Sequence, residues 1–282
     1  MDAEQIVFLN GTFLPIAQAQ IPVLDRGFIF GDGIYEVVPV YNGRPFRWPH
    51  HLARLARSLA RVGIRNPRDE AAWTDLVQAL IAKHPWRDQF VYLQVTRGVA
   101  KRDHAFPKGV EPTVFAMSSE LVPVPQAVRD QGVVAITLPD ERWLNCDVKS
   151  TSLIGNVLAR QAAVDAGAFE CVMFRDGFLT EGAASNIWVV RNGCVFGPPR
   201  DRRVLEGIRM SLMDELCAQC GIASQTRPIT REEVLAADEL LLSSATREVL
   251  AITRLDGQPV GEGVPGPVCS RLHVAYQAAT GR

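Results

Sequence analysis

FECVMFRDGFLTEGAASNIWVVRNGCVFGP, residues 169–198, is the stretch on which the fold turns. The β-branched and aromatic runs ECVMFR and FLT are separated by Asp176-Gly177, and NIWVVR and CVFG by Asn192-Gly193. An Asx-Gly pair between such runs marks a two-residue hairpin, because both of its residues adopt positive φ at small cost. Asn10-Gly11 in IVFLNGTFLP and Asn42-Gly43 in GIYEVVPVYNGRPF repeat the pattern. Hairpins outnumber strand–helix–strand units, so the expected class is α+β with largely antiparallel strands.

Helices follow from apolar spacing. In WPHHLARLARSLARVG, Leu52, Leu55, Leu59 and Val62 recur at helical intervals, and Gly63 ends the run. Further helices are expected over about 69–83, over NVLARQAAVDAG from Asn156, and over about 206–220. QFVYLQVTRG, TVFAMSS, GVVAITL, ELLLSSA and VLAITRL read as strands. LVPVPQA, residues 121–127, has no helical period and carries prolines, so it is expected to link two domains. Residues 1–120 then form a small N-terminal domain and residues 128–282 a larger C-terminal one.

The chain has 282 residues, 47% hydrophobic and 22% charged, with a formal net charge of -1. That is a globular composition without the basic field of a nucleic-acid binder. Cys146, Cys171, Cys194, Cys217, Cys220 and Cys269 are scattered through apolar segments, as reduced buried thiols would be. Cys217-Ala-Gln-Cys220 falls near a helix end that Gly221 caps, which suits neither a redox pair nor zinc, so no metal site is expected. MDAEQIVFLNG lacks the regions of a signal peptide, and no apolar run is as long as a membrane span. A cytoplasmic protein with neither membrane nor nucleic-acid partners is the expectation.

Four constellations carry chemistry. Lys149 lies in CDVKSTSLIGN, residues 146–156. A neutral lysine amine can form a Schiff base with an aldehyde, although a single lysine is more often a solvated surface residue. TEGAASN, residues 180–186, sets Glu181 among small residues between two strands. A carboxylate there can keep a pyridine nitrogen protonated, or be a solvated turn. In VAKRDHAFP, Arg102 and His104 would share one side of an extended segment and suit a carboxylate; a charged loop tip is the plain alternative. Phosphate-like features are Arg54 on the polar side of its helix, the helix start at Gly207-Ile208, and the hydroxyls of Ser243, Ser244 and Thr246. Each of these is ordinary by itself.

Together they are what a pyridoxal phosphate enzyme needs to act on amino acids. The chain resembles the D-amino-acid aminotransferases of the fold-type IV pyridoxal phosphate enzymes. The resemblance is carried by DRGFIFGDGIYEVVPVYNG, HLARLARS, VTRGVAKRDHAFP, ERWLNCDVKSTSLIGNVLA, TEGAASN, LEGIR and ADELLLSSATREV, spread from Asp25 to Val249. It implies a two-domain α+β fold, with a small N-terminal α/β domain and a larger, largely antiparallel cofactor-binding domain. Lys149 would carry pyridoxal 5'-phosphate as a Schiff base and shuttle the α-proton, with Glu181 on the ring nitrogen and Leu205 packed on the ring. Arg54, the backbone N–H groups of Ile208 and Arg209, and Ser244 with Ala245 would hold the phosphate. Tyr35, Arg102 and His104 would trap the substrate carboxylate, the last two reaching in from the partner subunit of a homodimer. Arg142 and Trp143 would flank the pocket. Relatives often carry threonine where this chain has Arg209 and Ala245, positions at which backbone donors still serve.

The implied reaction is ping-pong. A D-amino acid such as D-alanine or D-glutamate gives up its amino group, and a 2-oxo acid such as 2-oxoglutarate or pyruvate takes it. Branched-chain L-aminotransferases and aminodeoxychorismate lyases share the lysine and glutamate but generally lack the Arg-Asp-His segment. A cofactor-binding protein without turnover is the alternative of another class.

Overall fold

A computed structural model of the chain describes residues 4–281. The chain divides into two compact units. The first runs to Val122 and includes Val148–Leu153; the second comprises Pro123–Asp147 and the chain from Ile154 onward.

In the first unit the strands β1 (Ile6–Leu9), β2 (Thr12–Pro15), β3 (Gly33–Tyr41), β4 (Arg44–Pro45), β5 (Gln89–Thr96) and β6 (Thr113–Glu120) form one sheet, ordered β2-β1-β6-β5-β3-β4. Every pair in it is antiparallel. The helices are α1 (Arg26–Phe30), α2 (Trp48–Arg61) and α3 (Glu70–Ile81). Along β3, Ile34, Glu36, Val38 and Val40 are buried, whereas Tyr35 and Val37 on the opposite face are half-buried. Leu52, Leu55 and Leu59 of α2 and Trp73, Leu76 and Leu80 of α3 pack with β3 residues in one core.

Val148 belongs to that same core. The sequence boundaries assigned residues 148–153 to the C-terminal domain, and this is corrected by their backbone pairing with β3. Tyr35 N–H donates to Lys149 O at 3.0 Å, and Thr151 N–H to Gly33 O at 2.9 Å. Leu121 N–H bonds Asp88 O in the first unit, while Val124 enters the core of the second. The chain first passes from one unit to the other between Val122 and Pro123, and crosses again on either side of Val148–Leu153.

The second unit holds β7 (Val133–Pro139), β8 (Glu170–Arg175), β9 (Phe178–Leu179), β10 (Asn186–Arg191), β11 (Cys194–Gly197), β12 (Ser224–Thr226), β13 (Glu239–Ser244), β14 (Glu248–Leu255) and β15 (Gln258–Pro259). Their order is β12-β11-β10-β13-β14-β7-β8-β9, with β15 on β14. The pairs β11–β12, β14–β7 and β7–β8 are parallel, and the others antiparallel. Its helices are α4 (Gln126–Gln131), α5 (Ile154–Asp165), α6 (Ile208–Gln219), α7 (Arg231–Leu235) and α8 (Pro267–Thr280). Ile187, Val189, Leu240, Leu242, Leu250 and Ile252 form the centre of one core. Helices α6 and α8 pack on each other and bury Leu216, Leu272 and Tyr276.

Each expected Asx-Gly turn has positive φ on both residues, as at Asn192 (50°) and Gly193 (73°). Asp256-Gly257 makes another between β14 and β15. The sequence reading placed no helix over α8, although Pro267 in its first turn and the stripe Val268, Leu272 and Tyr276 signal one.

Leu55 is 1% exposed at the centre of the first core. Leu55→Ala should cost about 3 kcal/mol, read as a lower urea midpoint at constant m-value. A loss below about 1 kcal/mol would contradict this packing.

Candidate active site

The chain's lysines are Lys83, Lys101, Lys108 and Lys149, of which the first three are exposed and Lys149 is half-buried. Pairing of the segment 148–151 with β3 sets Lys149 Nζ 4.1 Å from the centroid of the Tyr35 ring. Tyr35 in turn stacks on Tyr92, ring centroids 5.7 Å apart. Lysine and tyrosine, both picked out in the sequence, are thus brought together on one face of β3.

The other face of β3 carries Glu36. Arg54 was expected on the polar side of α2; instead it is 5% exposed and sits in the buried stripe with His51 and Ser58. Burial is tolerated because Arg54 grips Glu36 with two bonds, Nε to Oε1 and Nη2 to Oε2, each 2.7 Å. His51 Nδ1 lies 2.7 Å from Glu36 Oε2. Burial would raise the Glu36 carboxyl, but the charge and hydrogen bonds of Arg54, aided by His51, hold it at about 2. Neither Glu36 nor His51 was singled out in the sequence. The signal available was the carboxylate adjoining Tyr35.

Arg102 and His104 do not lie on an extended strand. Residues 101–106 form an irregular, exposed loop. The two side chains still converge, for Arg102 Cζ and the His104 ring each lie 5.4 Å from the centre of the Phe30 ring.

In the second unit Glu181 stands between β9 and β10, 5% exposed. Arg142 Nη1 donates to its Oε1. Its Oε2 accepts from Leu205 N–H at 3.1 Å and Asn186 Nδ2 at 3.2 Å. Asn186 Nδ2 also donates to Leu205 O at 3.1 Å, which ties Leu205 to the glutamate twice. Burial pushes the Glu181 carboxyl up to about 7 against the pull of Arg142. Burial would lower the Arg142 guanidinium, but Asp140 and Glu181 raise it, so it stays a cation. Arg142 was read as flanking a pocket; it is 9% exposed and clamped by Asp140 at 2.8 and 2.9 Å. Trp143 beside it is 46% exposed.

Helix α6 starts at Ile208, with Gly207 at its N-cap and no side-chain cap, and a helix start of this kind favours an anion. A Cβ at Gly207 would collide with Asn186 Oδ1, so glycine is required by close approach. Ile208 and Arg209 are buried in that turn. The Arg209 side chain reaches Ala245 O (3.2 Å) and faces the Tyr276 ring (5.4 Å). Ser244 Oγ accepts from Arg247 N–H at 3.2 Å. Ser243 is taken up by Trp188 Nε1 (2.9 Å) and is 1% exposed, which removes it from the phosphate candidates.

Residues 33–255 match the family model of the class IV amino-transferases. The chain belongs to the class IV aminotransferases. A D-alanine aminotransferase of Bacillus licheniformis is 38% identical over 271 residues, 96% of this chain and 95% of that one. One from Staphylococcus aureus (strain MSSA476) is 35% identical over 272 residues, 96% of each. Among solved structures, a branched-chain amino acid aminotransferase from Escherichia coli shares the fold: TM-score 0.89, 22% identity, 99% of this chain and 94% of that one.

As a class IV aminotransferase the chain is a pyridoxal phosphate enzyme, and its residues fit that group. The first unit offers a half-buried amine, Lys149, and the second a buried carboxylate, Glu181, and a helix start without a side-chain cap, the kinds of group that such a cofactor uses. Among the described residues no helix is long and apolar enough to cross a membrane.

Arg142 is what keeps Glu181 from rising beyond about 7. In Arg142→Met the carboxyl should rise further, so the acid limb of the kcat/KM profile should move to higher pH. Arg142→Lys, which keeps a charge, should move it less. An unmoved limb in Arg142→Met would disconnect the ionisation of Glu181 from Arg142.

Proposed function

We propose that this aminotransferase acts on D-amino acids, D-alanine and D-glutamate among them, with 2-oxoglutarate or pyruvate as acceptor in a ping-pong cycle, and that two copies of the chain share each active site. The observation that carries the reading is the convergence of Arg102 and His104 on Phe30, a forked cation and a second donor presented together. The two relatives that bear the name D-alanine aminotransferase, matched over 96% of this chain, support it.

Bound pyridoxal phosphate supplies an aldehyde that takes up the amino group and a protonated ring that draws electrons from the Cα–H bond. Lys149 would hold that cofactor, and its amine, when free, would take the Cα proton and return it. Glu181 would face the ring nitrogen, its charge favoured by Arg142 against burial, and Leu205 would pack on the ring. Arg54, the N–H groups of Ile208 and Arg209, and Ser244 with Ala245 would hold the phosphate. Tyr35, Arg102 and His104 grip the substrate carboxylate and so fix which hand of amino acid turns its hydrogen toward Lys149.

The second copy is supported by uncovered apolar surface. Helix α5 leaves Ile154, Val157 and Leu158 exposed at helical spacing, and Val23, Phe28 and Phe106 of the first unit are exposed too. The free thiols of all six cysteines support a reducing compartment, the cytoplasm.

Turnover of D-alanine but not L-alanine with 2-oxoglutarate is the expected result; turnover of L-alanine alone would overturn the substrate assignment. The shared site has its own test. Lys149→Ala and the double variant Arg102→Ala/His104→Ala should each be nearly inactive, and mixed subunits should recover roughly a quarter of the native rate, one intact site in each mixed dimer. No recovery in proven mixed dimers would place the trap and lysine of one site on one chain.

A further inference from the structure

Asp32, just after α1, is the meeting point of two arginines. Arg26 Nε and Arg97 Nε each donate to Asp32 Oδ2 at 2.7 Å, and Arg97 Nη2 reaches Oδ1 at 3.0 Å. The three side chains are 13%, 4% and 8% exposed, in the order Asp32, Arg26, Arg97. One carboxylate thus orients two guanidinium forks, and the fork geometry dictates where their remaining N–H groups point.

Arg97 points them at the end of α2, Nη1 to Gly63 O (2.8 Å) and Nη2 to Val62 O (2.7 Å). Its Cζ lies 3.7 Å from the centre of the Phe106 ring. Arg26 points them at the trap loop. Its Nη1 donates to Asp103 O and, at 3.4 Å, to Ala105 O; its Nη2 donates to His104 O at 3.4 Å. Phe30, at the far end of α1 from Arg26, meets the loop's side chains, Arg102 and His104. The loop itself is exposed from Lys101 to Phe106 and has no regular structure. The Asx bond from Ala105 N–H to Asp103 Oδ1 (3.1 Å) is too little to hold it in one conformation.

We propose that Asp32 is a positioning residue for the substrate trap: through Arg26 and Arg97 it fixes the loop 101–106 and so the directions of Arg102 and His104. This rests on the reading of Arg102 and His104 as the carboxylate trap. Asp32 touches no substrate. It acts on affinity for the carboxylate rather than on proton transfer, because the lysine and the ring carboxylate are held by other contacts. The cluster also keeps one positive charge in excess, two arginines to one aspartate, which favours the approach of an anion.

The test compares Asp32→Asn, Arg26→Lys and Arg102→Ala holoenzymes with D-alanine and 2-oxoglutarate, together with backbone hydrogen exchange. Asp32→Asn should raise KM for D-alanine about tenfold while kcat stays within about twofold. Exchange should quicken in residues 101–106 and not in β3 or β5. Placed on Arg102→Ala, it should raise KM no further, because both changes disable one device. Arg26→Lys keeps a cation opposite Asp32 but loses the fork, and should give the same pattern; it also serves should Asp32→Asn not fold. A raised KM in Arg102→Ala, with KM and loop exchange unchanged in Asp32→Asn and Arg26→Lys, would overturn the positioning role and leave the trap standing. An unchanged KM in Arg102→Ala would overturn the trap and this role with it. A fall in kcat with faster exchange throughout the first unit would make Asp32 a general structural residue and overturn the inference.

Discussion

A carboxylate removed from water stays ionised only where cations and hydrogen-bond donors take the place of the water, and the residues around Glu181 are arranged by that requirement. Arg142 supplies the charge, and Asn186 and the Leu205 N–H supply the donors. Asp140 fixes Arg142 in turn. Taking such ions out of water costs several kcal/mol each, which the pair recovers only with good geometry, so the arrangement gives Glu181 a defined place more than it adds stability. Glu36 with Arg54 and His51 answers the same requirement, as does Asp32 with Arg26 and Arg97. Arginine serves at each because its fork matches a carboxylate, whereas Lys149 is set over the Tyr35 ring.

Strand β3 links these groups through its alternation. Tyr35 faces the lysine and Glu36 faces Arg54, and they are consecutive residues. A register slip of one residue would exchange them. Pairing with β5 prevents it, Tyr35 opposite Gln94 and Glu36 opposite Leu93, and so does the fixed length of the Asn42-Gly43 turn. The Lys149 segment is held to the same strand by backbone bonds, so the lysine's place depends on the path of the chain rather than on side-chain packing.

What could be read from the sequence was local. Asx-Gly pairs, apolar spacing in α2 and α3, and strand composition each report on a few neighbouring residues, and they gave the elements and the antiparallel bias. Lys149, Glu181, Tyr35, Arg102 and His104 stood out because chemistry needs those residue types, helped by the resemblance of whole segments. The partners did not stand out. Arg54 seemed a solvated helix residue, since spacing counted only the leucines, and its carboxylate lies 18 residues earlier on a strand. Arg142 lies 39 residues from Glu181, and no local pattern joins them. Placing residues 148–153 in the second unit was the same kind of error, for their attachment to β3 is a long-range backbone pairing.

The central claim is that Lys149 carries the cofactor. Reduction of the holoenzyme with borohydride, followed by digestion and mass analysis of the peptides, tests it most directly. The added mass of the reduced cofactor is expected on Lys149 alone. Its appearance on Lys83, Lys101 or Lys108, or on no lysine at all, would contradict the account.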